Sequence, residues 1–173
     1  VHGRIVSAIV LGVLLILGVL GAGLAMNDSS YYPEGNAIVY DGDEPVATVN
    51  VTVADDSEER YVGLSEHDSL PADEGMLFVY EEERELTFVM RNMDFGIDII
   101  YVDSEGCITG VNPAPEPGPD EVGENQRYPG EGQYVLEVNL GVASDNGVEA
   151  GDPVRFEYDG TVVDGTEADC FES

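Results

Sequence analysis

Short apolar stretches of strand length, cut by turn signals, leave this chain little room for anything but a β architecture. Residues 37–40 and 46–53 flank Asp41-Gly42-Asp43-Glu44-Pro45, a hairpin pattern. Val49, Val51 and Val53 alternate with Thr48, Asn50 and Thr52, so one face of that strand is apolar and the other polar. Residues 76–80, 86–90, 97–103, 107–111, 134–138 and 154–158 read as further strands. Helix is scarce. Asp56 and Glu59 stand at capping-box spacing, which predicts a short helix stopping at Gly63. Residues 141–146 offer one more helical turn before Gly147, and residues 112–128, rich in Pro, Gly and Glu, form a long irregular loop. The pattern predicts a mainly β fold, a β-sandwich or small barrel with one or two short helices.

Ahead of this domain lies a segment of another kind. Residues 5–26 carry no charge over 22 positions, the length of a membrane-spanning helix. Arg4 precedes the run and Asp28 is the first charge after it, which orients the N-terminus to the cytoplasm and the rest outside. The expectation is an N-terminal transmembrane helix that ties the chain to its own membrane. A signal peptide cleaved near Gly23-Leu24-Ala25 is the rival, and it would release a secreted domain. Residues 27–36 read as a linker, 37–158 as one domain and 159–173 as a loose acidic tail.

Charge narrows the partners. The 173 residues include 36 Asp plus Glu against 6 Lys plus Arg, a formal net charge of −30, and all six basic residues are Arg. Phosphate contacts need Lys and Arg, so nucleic acid is excluded as an expected partner. Adhesion to anionic lipid is disfavoured for the same reason. An acidic chain without Lys suits concentrated salt, where the Debye length falls to about 3 Å at 1 M and self-repulsion is screened. An archaeal extreme halophile is the expected source; an acidic chain from ordinary salt is the alternative.

Several blocks, in order, carry a family signature. Val53-Ala54-Asp55 leads through Glu58-Glu59-Arg60-Tyr61-Val62-Gly63-Leu64 to Leu70-Pro71-Ala72-Asp73-Glu74-Gly75-Met76-Leu77-Phe78. Phe88-Val89-Met90-Arg91-Asn92 and Ile97-Asp98-Ile99-Ile100 follow, then Tyr128-Pro129 and Tyr134-Val135-Leu136-Glu137-Val138-Asn139-Leu140-Gly141. Over roughly residues 46–158 the chain resembles the domain-of-unknown-function 192 family. The resemblance implies a β-rich, sandwich-like domain, commonly secreted or membrane-tethered, and no established activity. Met93 stands where members usually carry Thr, and Gly96 where Pro is common. The loop before Tyr128-Pro129 lacks the Cys that many members have, so chemistry on that thiol is not expected here.

Candidate site residues follow from the scarcity of cations. Arg91 invites a definite partner, because its planar fork binds a carboxylate through two parallel bonds. Glu137 sits in an apolar strand and is a plausible partner. Arg91, Asn92, Asp98 and Glu137 are the candidate ligand-binding set; the alternative is a buried structural ion pair. Met76, Phe78, Phe88 and Met90 read either as core or as the wall of an apolar pocket. No catalytic residue is assigned. Among 36 acidic residues chance carboxylate pairs abound, so a pair says little about hydrolysis.

Metals and cofactors find little to hold them. His2 and His67 have no partner at ligand spacing, and the EF-hand pattern is missing around residues 41–44. No elbow serine, phosphate loop or dinucleotide fingerprint is present, and no cofactor is expected. Cys107 and Cys170 form one disulfide or remain free thiols. Asn27 and Asn50 begin glycosylation sequons. The reading is a membrane-tethered extracytoplasmic module that binds a small ligand or an envelope partner. A hydrolase using Arg91, Asp98 and Glu137, or a purely structural envelope protein, are the alternatives.

Overall fold

The computed structural model describes residues 32–170. The apolar segment 5–26 and the Asn27 sequon lie outside them. Among the described residues no helix is long and apolar enough to cross a membrane.

Eight strands and two short helices follow one another: β1 (Glu34–Asp41), β2 (Glu44–Ala54), α1 (Ser57–Val62), β3 (Glu74–Val89), β4 (Ile97–Val102), β5 (Ile108–Ala114), β6 (Arg127–Asn139), α2 (Val142–Asn146), β7 (Val154–Tyr158) and β8 (Thr161–Asp164). They make one sheet in the order β5-β4-β6-β3-β2-β1-β7-β8. All neighbours run antiparallel except β2 and β3, which are parallel and joined through α1. A parallel pair needs such a crossover, because a tight turn cannot return the chain in the same direction.

The sequence pattern predicts a two-sheet sandwich or a small barrel; the structure is instead one open sheet that curls. Cys107, just before β5, bridges Pro153, just before β7, although five strands separate β5 and β7 in the ladder. Curling gives the sheet an inside. Val49, Val51 and Val53 of β2 point there with Leu77, Ile100, Leu136, Val138, Val154 and Phe156, and α2 adds Ala143. The opposite face holds a smaller cluster under α1: Leu64, Met76, Phe78, Met90, Met93, Ile97, Ile99, Tyr101 and Val135. Beta-strand pleating explains the split, since successive residues of β4 and β6 serve opposite clusters.

Other departures have local causes. The stretches 76–80 and 86–90 are one strand, β3, because the exposed Glu81–Glu85 stretch between them keeps the strand running past a register shift against β6. β1 begins at Glu34, inside the expected linker. Residues 159–170 are not loose: Arg155 donates to Asp164 at 2.7 Å and pins β8 to β7, and Cys107 and Cys170 are joined as a disulfide across 63 positions.

Helix α1 forms where the capping box places it. The Asp56 carboxylate accepts from the backbone N–H of Glu58 at 2.8 Å and of Glu59 at 2.9 Å. The Glu59 carboxylate accepts in return from Asp56 N–H at 3.3 Å. Gly63 ends the helix with φ of +51°, and a Cβ there would sit 3.2 Å from the Phe78 ring. Both facts favour glycine, and together they let α1 lie close on the outer face of the sheet.

Candidate functional site

The four residues nominated from the sequence divide between the two faces of the sheet. Asp98 faces inward on β4. Its carboxylate accepts from Gly141 N–H at 2.9 Å and Ala143 N–H at 2.8 Å, capping α2 from another strand because Gly141 has no side chain to do so. Burial pushes the Asp98 carboxyl up, and the two amides pull it back part of the way. Asp98 is therefore a helix cap, separated from Arg91 and Glu137 by the sheet itself. Asn92 is exposed in the turn after β3, in a left-handed conformation with φ of +53°. It lines a different surface hollow, beside Asp94 and Glu116.

Arg91 and Glu137 do share a site. A cavity of about 190 Å³ opens between α1 and the outer face of β3, β4 and β6, and both residues line it. Phe78 and Phe88 wall it, with ring centroids 4.9 Å apart in an edge-on arrangement. Met93, Ile97 and Leu64 add apolar surface. Met76 and Met90, the other two apolar candidates, are core and do not line it.

The ion pair between Arg91 and Glu137 is not formed. The Arg91 guanidinium donates to the Tyr61 carbonyl oxygen of α1 and lies over the Tyr61 ring, 4.0 Å from its centroid. Arg60 behaves in parallel. It donates to the Asp55 carbonyl and, at 2.8 Å, to that of Val79, and lies 4.9 Å over the Tyr80 ring. Each Arg thus fastens α1 to the sheet with main-chain bonds and a cation–π contact. Both are half-buried, which sets them on the solvent side of the cavity.

Glu137 lines the cavity from β6. It is 5% exposed, and among the described residues its carboxyl has neither a protein hydrogen-bond partner nor a salt bridge. No side-chain polar atom among them is both sealed and unpartnered, so its oxygens reach solvent through the cavity. Its only open side is the cavity. Burial alone pushes its pKa up to about 8, since no donor or cation is close enough to hold the charge. Near neutrality the side chain is mostly a protonated acid, able to donate as well as accept a hydrogen bond. Burial also raises the Tyr80 hydroxyl, against the opposing pull of Arg60. Two residues along β6, the Asn139 amide donates to the carbonyls of Leu70 at 3.0 Å and Pro71 at 2.9 Å and ties the segment before β3 to the sheet.

A family model matches residues 37–156, which span the sheet from β1 to β7 and include every lining residue of this cavity. The chain belongs to the DUF192 family. That family is described as "Uncharacterized ACR". Two solved structures share the fold. One, from Sinorhizobium meliloti and described provisionally as a transcription regulator, is 24% identical with a TM-score of 0.65, over 75% of this chain and 97% of its own. The other, a protein of unknown function from Novosphingobium aromaticivorans, is 26% identical with a TM-score of 0.59, over 69% of this chain and 82% of its own. No curated protein matches.

Within this DUF192 domain two of the four residues nominated from the sequence, Arg91 and Glu137, line one cavity, and the sequence reading did not name the residues around them. Arg60, Tyr61 and Tyr80 complete the cavity. Arg60 had a signal, being one of only six cations in the chain. The remaining candidates sit elsewhere. Asn50 is exposed on β2 and donates to the Asp73 carbonyl at 3.3 Å. His67 is exposed. Among the described residues no group of three or more His, Cys, Asp and Glu is arranged to hold a metal ion. A larger cleft, about 650 Å³, lies between the start of β1 and the β7–β8 turn. Its acidic residues, Glu34, Glu74, Glu157 and Asp159, are all exposed, so it lacks a desolvated group to read a ligand.

Proposed function

We propose that this DUF192 chain is a binding module, held outside the cytoplasm by its N-terminal apolar segment, that takes a small ligand in the Glu137 cavity. The observation that carries the reading is Glu137 itself. Stripping most of the water from a carboxyl that has no protein partner costs folding free energy, even though its oxygens still touch solvent through the cavity. A ligand that supplies the missing partner recovers that cost. Apolar walls with a few convergent polar groups are the usual make-up of a small-molecule site. Volume bounds the guest: water occupies about 30 Å³ per molecule, so 190 Å³ corresponds to on the order of six waters.

Hydrolysis by a carboxylate pair is the weaker reading, because Glu137 is the one carboxyl lining the cavity and Asp98 serves the other face. The regulator description of the Sinorhizobium neighbour draws no support from a chain of charge −30 without Lys.

The test is a ligand-stabilisation screen of the full chain in detergent and multi-molar KCl against a library of small metabolites. A binder raises the melting temperature by mass action. The reading requires at least one molecule that stabilises the wild type and not Glu137→Leu, which fills the floor and removes the polar group. A library that stabilises neither protein, or both equally, contradicts it.

A further inference from the structure

Resting on that cavity reading, we propose that the ligand is a small zwitterion, its ammonium set against Glu137 and its carboxylate against Arg60 and Arg91. The cavity is asymmetric in charge. One carboxyl lies at the buried end, and two guanidiniums lie at the half-buried end. Each guanidinium has five N–H donors, and the main-chain contacts of Arg60 and Arg91 use only part of them. The rest remain for an anion at the opening.

Simpler ligands leave one end unmatched. A lone cation must pass two guanidiniums to reach Glu137. A lone anion that fills the cavity meets the carboxyl at its floor. A neutral apolar molecule displaces the solvent that reaches the Glu137 carboxyl and gives it no partner in exchange, which costs free energy. A molecule with a positive and a negative end answers every polar group and enters with no net charge. The aromatic walls, Phe78 and Phe88, suit it too, since an ammonium is attracted to aromatic rings. The volume of about 190 Å³ admits small amino acids, glycine and alanine among them.

Binding of this kind moves a proton. The groups that face Glu137 are Tyr80 of β3, Arg60 and Tyr61 of α1, Arg91 after β3, and Tyr101 of β4. None bonds to its carboxyl, so the free side chain keeps its proton until pH approaches 8. An ammonium prefers the carboxylate, and its arrival expels the proton. Affinity should then rise about tenfold per pH unit between roughly pH 6 and 7.5.

The experiment is calorimetric titration and thermal melting of the full chain in detergent and multi-molar KCl, with glycine, alanine, methylammonium and acetate as probes. The expected result is binding of glycine or alanine, at least tenfold tighter than either half-molecule, with proton release and the stated pH slope. Glu137→Gln, an isostere of the protonated acid, should remain folded, lose at least tenfold in affinity and lose the slope. Methylammonium or acetate binding as tightly as glycine overturns the zwitterion and leaves the cavity reading standing. Glycine binding equally to wild type and Glu137→Gln also overturns it. If no probe binds while the library yields another ligand that needs Glu137, the zwitterion fails alone. If the library yields none, the cavity reading fails with it.

Discussion

Arg91 lies over the ring of Tyr61, 4.0 Å from its centroid, and donates to the carbonyl of that same residue. One guanidinium therefore grips a short helix by its side chain and its main chain. α1 has six residues and no buried side chain of its own, so it is held by this grip, by the parallel one of Arg60 on Val79 and Tyr80, and by its capping box. Isolated helices of this length are unstable in water.

Removing that grip should loosen α1 without unfolding the sheet. Arg91→Met keeps most of the apolar stem and deletes the fork. The expected loss is about 1–2 kcal/mol, from the cation–π contact and a charged hydrogen bond. Hydrogen exchange should quicken over residues 57–64 and stay unchanged in β4 and β6. Uniform loss of protection would show that Arg91 supports the core instead.

Asp98 should behave as a cap. Asp98→Ala leaves the amides of Gly141 and Ala143 without an acceptor, at a cost of about 1–3 kcal/mol. Thermal melting measures that cost. Ligands of the Glu137 cavity should bind the variant unchanged once it is folded. A selective loss of binding would return Asp98 to the site.

The pairing of Cys107 with Cys170 closes a long loop, with 63 positions between its ends. Chain entropy alone assigns such a cross-link about 4 kcal/mol, at the upper end of the usual range. Reduction, or a double Cys→Ser change, should lower the melting temperature and expose β8 to protease first. Equal melting of oxidised and reduced protein would contradict this.

Net charge makes a prediction about solvent. At −30 the folded chain repels itself, and the repulsion fades as salt shortens the Debye length. Melting temperature should climb from dilute buffer to multi-molar KCl. A fall would remove the halophilic reading.

Where pleat and capping govern, the sequence was easy to read. Val49, Val51 and Val53 face the core as their alternation requires, and Asp56 and Glu59 build the capping box their spacing predicts. β4 is different: all six residues are buried, so alternation carries no sign of which face Asp98 takes. Only its partners on α2 decide that. β8 had a local signal that the sequence reading passed over: Asp159-Gly160, both at positive φ, is a two-residue hairpin turn that sets Thr161-Val162-Val163-Asp164 beside β7. The curl is invisible locally, since it rests on Cys107 meeting Pro153. Arg91 and Glu137 were both legible as unusual residues. Their failure to pair was not, because Tyr61 takes the Arg first.

Glu137 ties stability to pH. Its folded pKa stands near 8, above the ordinary carboxyl value of 4.5, so the native state holds its proton more tightly than the unfolded chain. The associated stability is complete below about pH 4.5 and drains away as pH rises to 8. The slope is roughly 1.4 kcal/mol per unit across that window. Glu137→Gln should flatten this part of the profile.

The most direct test is a carbon-13 NMR titration of the Glu137 carboxyl, followed with and without glycine. The account predicts a midpoint near pH 8 in the free protein, displaced downward when glycine occupies the cavity. A midpoint near 4.5 in the free protein would mean that Glu137 is hydrated or partnered rather than desolvated, and would contradict the site.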